Sequence, residues 1–290
     1  MPRPVIVIHA GAGASSPPPE LREEARDALR TALRRGAAAL ADGGEALDAV
    51  QAAVAYMEDE VEFFNAGRGA VLCADGTAEL SAAIMRGHDR AAGAVAIVTR
   101  SRYPVAAARA VLDVSDHVLM MGPAADRFAH QHGVEPCEPE YFVTERQRVR
   151  LAERGSDFER GTVGAVCLDS SGRLAAATST GGRRGQLPGR VGDTPVIGAG
   201  TWADHRVAVS CTGDGESFIR AAAAHQLATR VAAGEGLESA TDATLADVGV
   251  VDGTGGIISV DVSGAVALAF TSEAMNRGVW REGSEPEAWV

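Results

Sequence analysis

The run Gly161-Thr162-Val163-Gly164-Ala165-Val166 constrains this chain more than any other, because a hydroxyl-bearing residue there divides the 290 residues into two candidate fragments. A threonine at a newly exposed N-terminus needs no separate base. Its α-amine has an unperturbed pKa of about 7.7–8.0, so a neutral fraction exists near pH 7 beside the hydroxyl. Gly161 leaves the preceding backbone free to adopt the geometry that attack on its own carbonyl requires, and branching at Cβ restricts the χ1 choices of Thr162. Thr162 is therefore the candidate nucleophile, and Gly161-Thr162 the candidate cleavage point. A Gly-Thr pair alone opens many ordinary strands, so its weight rests on the residue blocks elsewhere in the chain.

Downstream stand Thr178-Ser179-Thr180-Gly181-Gly182, then Leu187-Pro188-Gly189-Arg190-Val191-Gly192-Asp193, then Ser210-Cys211-Thr212-Gly213-Asp214-Gly215-Glu216. Upstream stand Ile8-His9-Ala10-Gly11-Ala12-Gly13 and Phe64-Asn65-Ala66-Gly67-Arg68-Gly69, and near the end Ser272-Glu273-Ala274-Met275-Asn276-Arg277-Gly278. In order and spacing these blocks resemble the isoaspartyl peptidase/plant-type L-asparaginase family of N-terminal nucleophile hydrolases. The resemblance covers essentially the whole chain.

Composition narrows the chemistry independently. A net charge of −12 argues against a nucleic-acid surface. All 27 basic residues are arginine, so Schiff-base catalysis, Walker-type phosphate loops and Ser-Lys dyads lose their required lysine. Cys73, Cys137, Cys167 and Cys211 show no zinc spacing, and a reduced, cytoplasmic setting is expected. Neither a signal peptide nor a membrane span is read from the pattern. No metal ligand set is assigned and no cofactor is required. The lone His130-x-His132 pair lacks a third ligand. A dinucleotide fingerprint at Gly11-x-Gly13 fails, because Ser16 replaces the third glycine and Pro17 to Pro19 remove amide donors. His9 reads as a hydrogen-bonded structural histidine.

Along the chain, Val5–Ile8 predicts a buried strand. Apolar repeats at Leu21, Ala25, Ala28, Leu29, Leu33 and at Leu47, Val50, Val54, Met57 predict two helices broken at Asp42-Gly43-Gly44. The acidic run Glu58–Glu62 reads as a solvated helix end. Gly69–Cys73 and Thr77–Ile84 predict a hairpin around Asp75-Gly76. Strands are expected at Ala94–Val98 and Val118–Met121, with helices at Val105–Leu112 and Ala124–His132. Charged and turn-forming residues from Gly133 to Gly161 predict a flexible connector. Strands come next at Val163–Leu168, Leu174–Thr180 and Val207–Cys211, then a helix Glu216–Val231. Further strands are expected at Val248–Val251, Gly256–Val262 and Ala265–Phe270.

The candidate site draws on several of these segments. The expected strand pair brings Thr180 beside Thr162, where its hydroxyl serves the nucleophile or merely favours a strand; the resemblance assigns the first. Asn65 reads equally as a residue orienting the nucleophile or as a turn cap until the same resemblance decides. Arg190 and Asp193 form either a structural ion pair or a clamp for a zwitterion, the guanidinium gripping an α-carboxylate and the carboxylate an α-ammonium. The Thr212 hydroxyl and Gly213 amide are candidate oxyanion donors, and Gly215 permits close backbone approach. Ser81, Arg86, Arg183 and Arg184 depart from the family pattern, which usually has acids at the first two positions and less basic residues at the others.

The resemblance implies an α/β (α+β) fold of the four-layer αββα sandwich type. It implies one domain, 1–290, self-cleaved into subunits 1–161 (with 133–161 as the connector) and 162–290, and a homodimer of such cleaved protomers. It also implies a structural sodium ion held largely by backbone carbonyls near residues 57–67. The expected reaction is hydrolysis of L-asparagine and β-aspartyl dipeptides, small-molecule substrates, without nucleic acid or membrane. A glycosylasparaginase-like amidase and a catalytically silent amino-acid-binding homologue are the alternatives.

Overall fold

The computed structural model describes residues 2–13, 17–153 and 161–290. Strand β1 (Val5–Gly13) is followed by helices α1 (Arg22–Ala39) and α2 (Ala46–Asp59). Next come β2 (Leu80–Arg86), β3 (Ala92–Val98), α3 (Pro104–Val114), β4 (Leu119–Met121), α4 (Gly122–Gln131) and α5 (Glu145–Ala152). Beyond Thr162 lie β5 (Val163–Leu168), β6 (Leu174–Thr180), β7 (Thr201–Ala203) and β8 (Val207–Gly213). Helices α6 (Gly215–Ala221), α7 (Ala223–Ala232) and α8 (Leu237–Val250) come after them. Strands β9 (Gly255–Asp261), β10 (Val266–Phe270), β11 (Ala274–Arg281) and β12 (Glu287–Trp289) close the chain.

The class is mixed α/β with two sheets among the described residues. An eight-stranded sheet runs β12-β11-β1-β5-β6-β2-β3-β4, and a four-stranded sheet runs β10-β9-β8-β7. Every pairing of these strands is antiparallel except that of β3 with β4. Strand β1 is a continuous apolar run because both of its faces are covered. Ile6 and Ile8 pack with Leu29, Leu33, Val50 and Val54 of the first two helices. Val5 and Val7 face the other way, packing with Val166 and Leu168 and with Ile258 and Val260 of the smaller sheet. On that smaller sheet Val209, Cys211 and Ile257 meet Phe218, Leu227 and Leu245 of the later helices. Period-two alternation thus sends successive residues of one strand into different cores.

Several expectations require correction. The hairpin across Gly69–Cys73 and Thr77–Ile84 is not formed, although the Asp75-Gly76 turn is, with Cys73 N donating to Thr77 O at 2.8 Å. The backbone before that turn is engaged elsewhere. Val71 N donates to Asn65 Oδ1 at 2.9 Å, Ala74 N to Gln186 O at 2.8 Å, and Gly185 N to Leu72 O at 2.8 Å. This segment therefore ties together loops that carry site residues. The helix expected at Glu216–Val231 is two helices, broken where Ala222 adopts a left-handed φ of 48°. Nothing in that alanine run announces the break. The strand expected at Val248–Val251 is instead the end of α8, whose buried face is Leu237, Ala240, Thr241, Thr244, Leu245 and Val248. Thr241 and Thr244 return their hydroxyls to Leu237 O and Ala240 O at 2.7 and 2.8 Å, which lets polar residues sit on a buried helical face.

The stretch 133–161 also differs from a featureless connector. It holds a short turn of 3-10 helix at Pro139–Phe142, with Phe142 fully buried, and α5, whose Gln147 donates to Gly69 O at 2.9 Å. Residues 154–160 of that expected connector lie outside the described residues.

The two sheets come close together at Gly164, which lies opposite His9 across the β1–β5 ladder. A Cβ at Gly164 would collide with the Ser210 hydroxyl and the His9 imidazole. Overpacking of this kind costs about 1–3 kcal/mol. Gly164→Ala is accordingly expected to lower the melting temperature and, by displacing β5 next to Thr162, to slow any reaction of that residue. Unchanged melting in a calorimetric comparison with the parent protein would contradict this close approach.

Candidate active site

Strand register builds the site. Val163 pairs with Ser179, so Thr162 and Thr180 fall at adjacent ends of β5 and β6. Thr162 Oγ1 donates to Thr180 Oγ1 at 3.2 Å, and Thr180 Oγ1 donates in turn to Gly161 O at 3.1 Å. Gly182 N donates to the same Thr180 oxygen at 2.9 Å, fixing its remaining lone pair. Asn65 supplies the other side: Nδ2 donates to Gly161 O at 2.7 Å and to Gly182 O at 2.8 Å. The Gly161 carbonyl oxygen therefore receives two donors beside the Thr162 hydroxyl. Gly161 itself is closely covered, since a Cβ there would stand 2.9 Å from Asn65 Cβ.

Thr162 and Thr180 line a cavity together with Gly161, Gly182, Arg183, Arg190, Gly192, Asp193, Thr194 and Gly213. Arg190 and Asp193 thus share one cavity with Thr162. Arg190 is held by a residue outside the expected set: Nε and Nη2 donate to Glu216 Oε1 and Oε2 at 2.9 and 3.0 Å, and Nη1 donates to Gln186 Oε1 at 3.3 Å. A guanidinium has five N–H bonds. Those contacts use three, leaving one on each terminal nitrogen for an incoming carboxylate. The Arg190 guanidinium beside Glu216 lowers that carboxyl to about 2. Asp193 is pushed up to about 7 by burial, against the opposing pull of Arg190, and its Oδ2 has no hydrogen-bond partner. An unpartnered buried carboxylate oxygen is a costly group that a cationic ligand would satisfy. Gly215 does back this pair closely, for a Cβ there would stand 2.9 Å from both Arg190 Nη2 and Asp193 Oδ1.

The Thr212 hydroxyl accepts from Ala12 N at 3.3 Å, which leaves its proton to donate, and its neighbour Gly213 lines the cavity. Ser81 sits opposite Thr180 in the β2–β6 ladder, whereas Arg86 pairs with Asp89 at the far end of β2. Arg184 donates to Arg150 O at 3.4 Å, while Arg183 lines the cavity. His9 is fully buried, its Nε2 2.9 Å from Ser210 Oγ, which in turn lies 2.8 Å from Thr178 Oγ1. Burial lowers this imidazole to about 3, an effect only partly offset by the nearby Thr162 backbone, so His9 is neutral and is no general base near pH 7. Among the described residues no cluster of three His, Cys, Asp or Glu side chains suits a metal ion.

Glu58 departs from the solvated reading of the acidic run, being buried at 1% exposure, while Asp59 and Glu62 are exposed as that reading expects. Its Oε1 accepts from Ser179 Oγ at 2.5 Å and from Val105 N at 2.9 Å, so it braces β6 next to Thr180 from behind. The signal was present in the spacing: Glu58 falls four residues after Val54, on the apolar stripe of α2. Burial raises its pKa from 4.5 to about 8.

The chain matches the model of the family described as Asparaginase over residues 2–290. It is 44% identical over 312 residues to an isoaspartyl peptidase of Escherichia coli (strain K12), covering 100% of this chain and 97% of the relative. It is 40% identical over 291 residues to an isoaspartyl peptidase/L-asparaginase of Bos taurus, covering 97% and 94% respectively. A Danio rerio isoaspartyl peptidase/L-asparaginase is 39% identical over 291 residues, covering 97% of this chain and 93% of that relative.

The raised pKa of Glu58 has a definite sign. Stability conferred by the neutral buried carboxyl is complete below the unfolded value near 4.5 and is lost as pH rises through about 8. Glu58→Gln keeps the shape and removes the titration. Its melting temperature should therefore gain on that of the parent progressively between pH 4.5 and 8; a gap independent of pH would mean that Glu58 is ionised in the folded protein throughout.

Proposed function

The chain belongs to this asparaginase family, and on that premise we propose that it cleaves itself at Gly161-Thr162 and then hydrolyses L-asparagine and β-aspartyl dipeptides. The observation that carries the reading is the Gly161 carbonyl, held by Asn65 and Thr180 beside the Thr162 hydroxyl. In self-cleavage Thr162 Oγ attacks the Gly161 carbonyl carbon. Negative charge develops on an oxygen already facing two donors, which stabilise it more than the planar ground state. The C–N bond then breaks, the departing nitrogen takes the hydroxyl proton, and water hydrolyses the resulting ester. The products are 1–161, ending in a carboxylate, and 162–290, beginning with a free threonine amine.

That amine is the base for turnover. Arg190 grips the α-carboxylate of the substrate on the N–H edge left open by Glu216 and Gln186, and Asp193 takes the α-ammonium. The cation lowers the Asp193 pKa again, so binding and ionisation of this carboxyl support each other. The β-carbonyl then faces Thr162. Attack releases ammonia or an amino acid, protonated by the Thr162 ammonium, and water frees aspartate from the ester. Thr180 orients the nucleophile in both reactions; the Gly213 amide, on the cavity wall, and the hydroxyl of its neighbour Thr212 are the oxyanion donors.

The three separate cores support an αββα layering, with both subunits contributing strands to the larger sheet. The loop near residues 57–67 suits a structural sodium ion. Carbonyls of Glu58, Glu60 and Phe64 crowd against Gly67 and Gly69, where a Cβ would strike them, and hard cations favour such oxygens. When bound, the ion would stiffen the loop carrying Asn65. Four unpaired cysteines support a reducing, cytoplasmic setting, and among the described residues no helix is long and apolar enough to cross a membrane.

Mass spectrometry of the denatured protein after incubation should find fragments 1–161 and 162–290, and the self-cleaved protein should hydrolyse both L-asparagine and a β-aspartyl dipeptide. Thr162→Ala should remain one chain and lose both activities. A Thr162→Ala protein still cut at Gly161 would remove Thr162 from the nucleophile's role.

A further inference from the structure

We propose that Arg183 recognises the leaving group, its guanidinium taking the carboxylate of the amino acid released from a β-aspartyl dipeptide and so favouring peptides over L-asparagine. The inference rests on the proposed hydrolysis by Thr162. L-asparagine brings one carboxylate and one ammonium, and Arg190 with Asp193 accounts for both. A β-aspartyl dipeptide brings a second carboxylate, beyond the scissile nitrogen. The cavity that holds Thr162 contains a second guanidinium, that of Arg183.

Its placement is set by the same groups that set the clamp. Arg183 follows Gly182, whose carbonyl is held by Asn65 Nδ2 at 2.8 Å. Arg183 N donates to Gln186 Oε1 at 2.9 Å, the oxygen that also accepts from Arg190 Nη1 at 3.3 Å. The stem of Arg183 is thereby fixed relative to both the nucleophile and the clamp. At the other end, Arg183 Nη1 lies 3.5 Å from Glu216 Oε2, which Arg190 Nη2 approaches at 3.0 Å. Glu216 therefore stands between two guanidinium groups, engaging Arg190 with both oxygens and Arg183 with one at longer range. The Arg183 side chain is 27% exposed against 17% for Arg190, so Arg183 is the more solvent-accessible of the two cavity cations. A leaving group departs toward solvent. A guanidinium binds a carboxylate through parallel N–H donors, a geometry an ammonium does not reproduce.

The test compares β-aspartyl-leucine, its C-terminal amide and L-asparagine as substrates for self-cleaved parent protein, Arg183→Gln and Arg183→Lys, with rates normalised to the cleaved fraction. In the parent, capping the leucine carboxylate should lower kcat/KM by about 10- to 50-fold, the range of one charge-assisted contact. In Arg183→Gln the capped and uncapped peptides should agree within about twofold, with Arg183→Lys intermediate. The L-asparagine rate should fall far less than that of the uncapped peptide. Comparing the capping ratio between proteins cancels the difference in leaving-group basicity. An unaltered capping ratio in Arg183→Gln overturns the proposal. So does an equal fall for L-asparagine and the peptide, which would place Arg183 on the α-carboxylate. Parent protein inactive on all three substrates would overturn the proposed hydrolysis and this inference with it; activity with an unaltered ratio overturns this inference alone.

Discussion

The Gly161 carbonyl oxygen, fixed by Asn65 Nδ2 at 2.7 Å and Thr180 Oγ1 at 3.1 Å, is the contact on which the rest of the site depends. Both donors are themselves held. Asn65 is tied to Gly182 O and to Val71 N, and Thr180 to Gly182 N and to the Thr162 hydroxyl. Neither can turn away without leaving a polar group unmatched in a buried place, a cost of about 1–3 kcal/mol for each. In the proposed self-cleavage, the charge that develops during attack would therefore meet dipoles already oriented, with little reorganisation left for the reaction itself.

The surrounding protein maintains this arrangement by burial and by polar pairing behind the strands. Glu58 braces Ser179 from the helical side, and His9, Ser210 and Thr178 form a buried hydrogen-bonded row near the Gly164 contact between the sheets. The cavity itself is electrostatically divided. Glu216, held low by Arg190, keeps its charge at ordinary pH, while Asp193 is raised by burial and lacks a partner for Oδ2. The first carboxylate positions a cation within the protein; the second is the one that the proposed function assigns to the ammonium of a ligand.

Much of this was legible in the sequence where short-range periodicity and motif spacing carry the information. Thr162 beside Thr180 follows from two strands joined by a tight turn, and Arg190 near Asp193 from three residues of separation. What escaped depends on contacts between distant segments. Glu216 lies 26 residues beyond Arg190, and Gln186 gives no motif signal for a contact with its guanidinium. Glu58 was hidden by its acidic neighbours, although its place on the α2 stripe marked it as inward-facing. The false hairpin at Gly69–Cys73 arose because β propensity says nothing of Asn65 and Gln186, which take the backbone partners that a second strand would have supplied. In α8 the threonines obscured the apolar period, since their hydroxyls are satisfied within the helix itself.

The central claim is that Thr162 carries the acyl group during turnover. Its most direct test is to mix self-cleaved protein with excess L-asparagine, quench in acid within the first turnovers, and digest the fragment beginning at Thr162 for peptide mass mapping. One aspartyl group esterified to Thr162, absent without substrate and lost on incubation before the quench, is the expected result. Continued turnover with the acyl group on another residue, or with no covalent adduct at any quench time, would contradict the account.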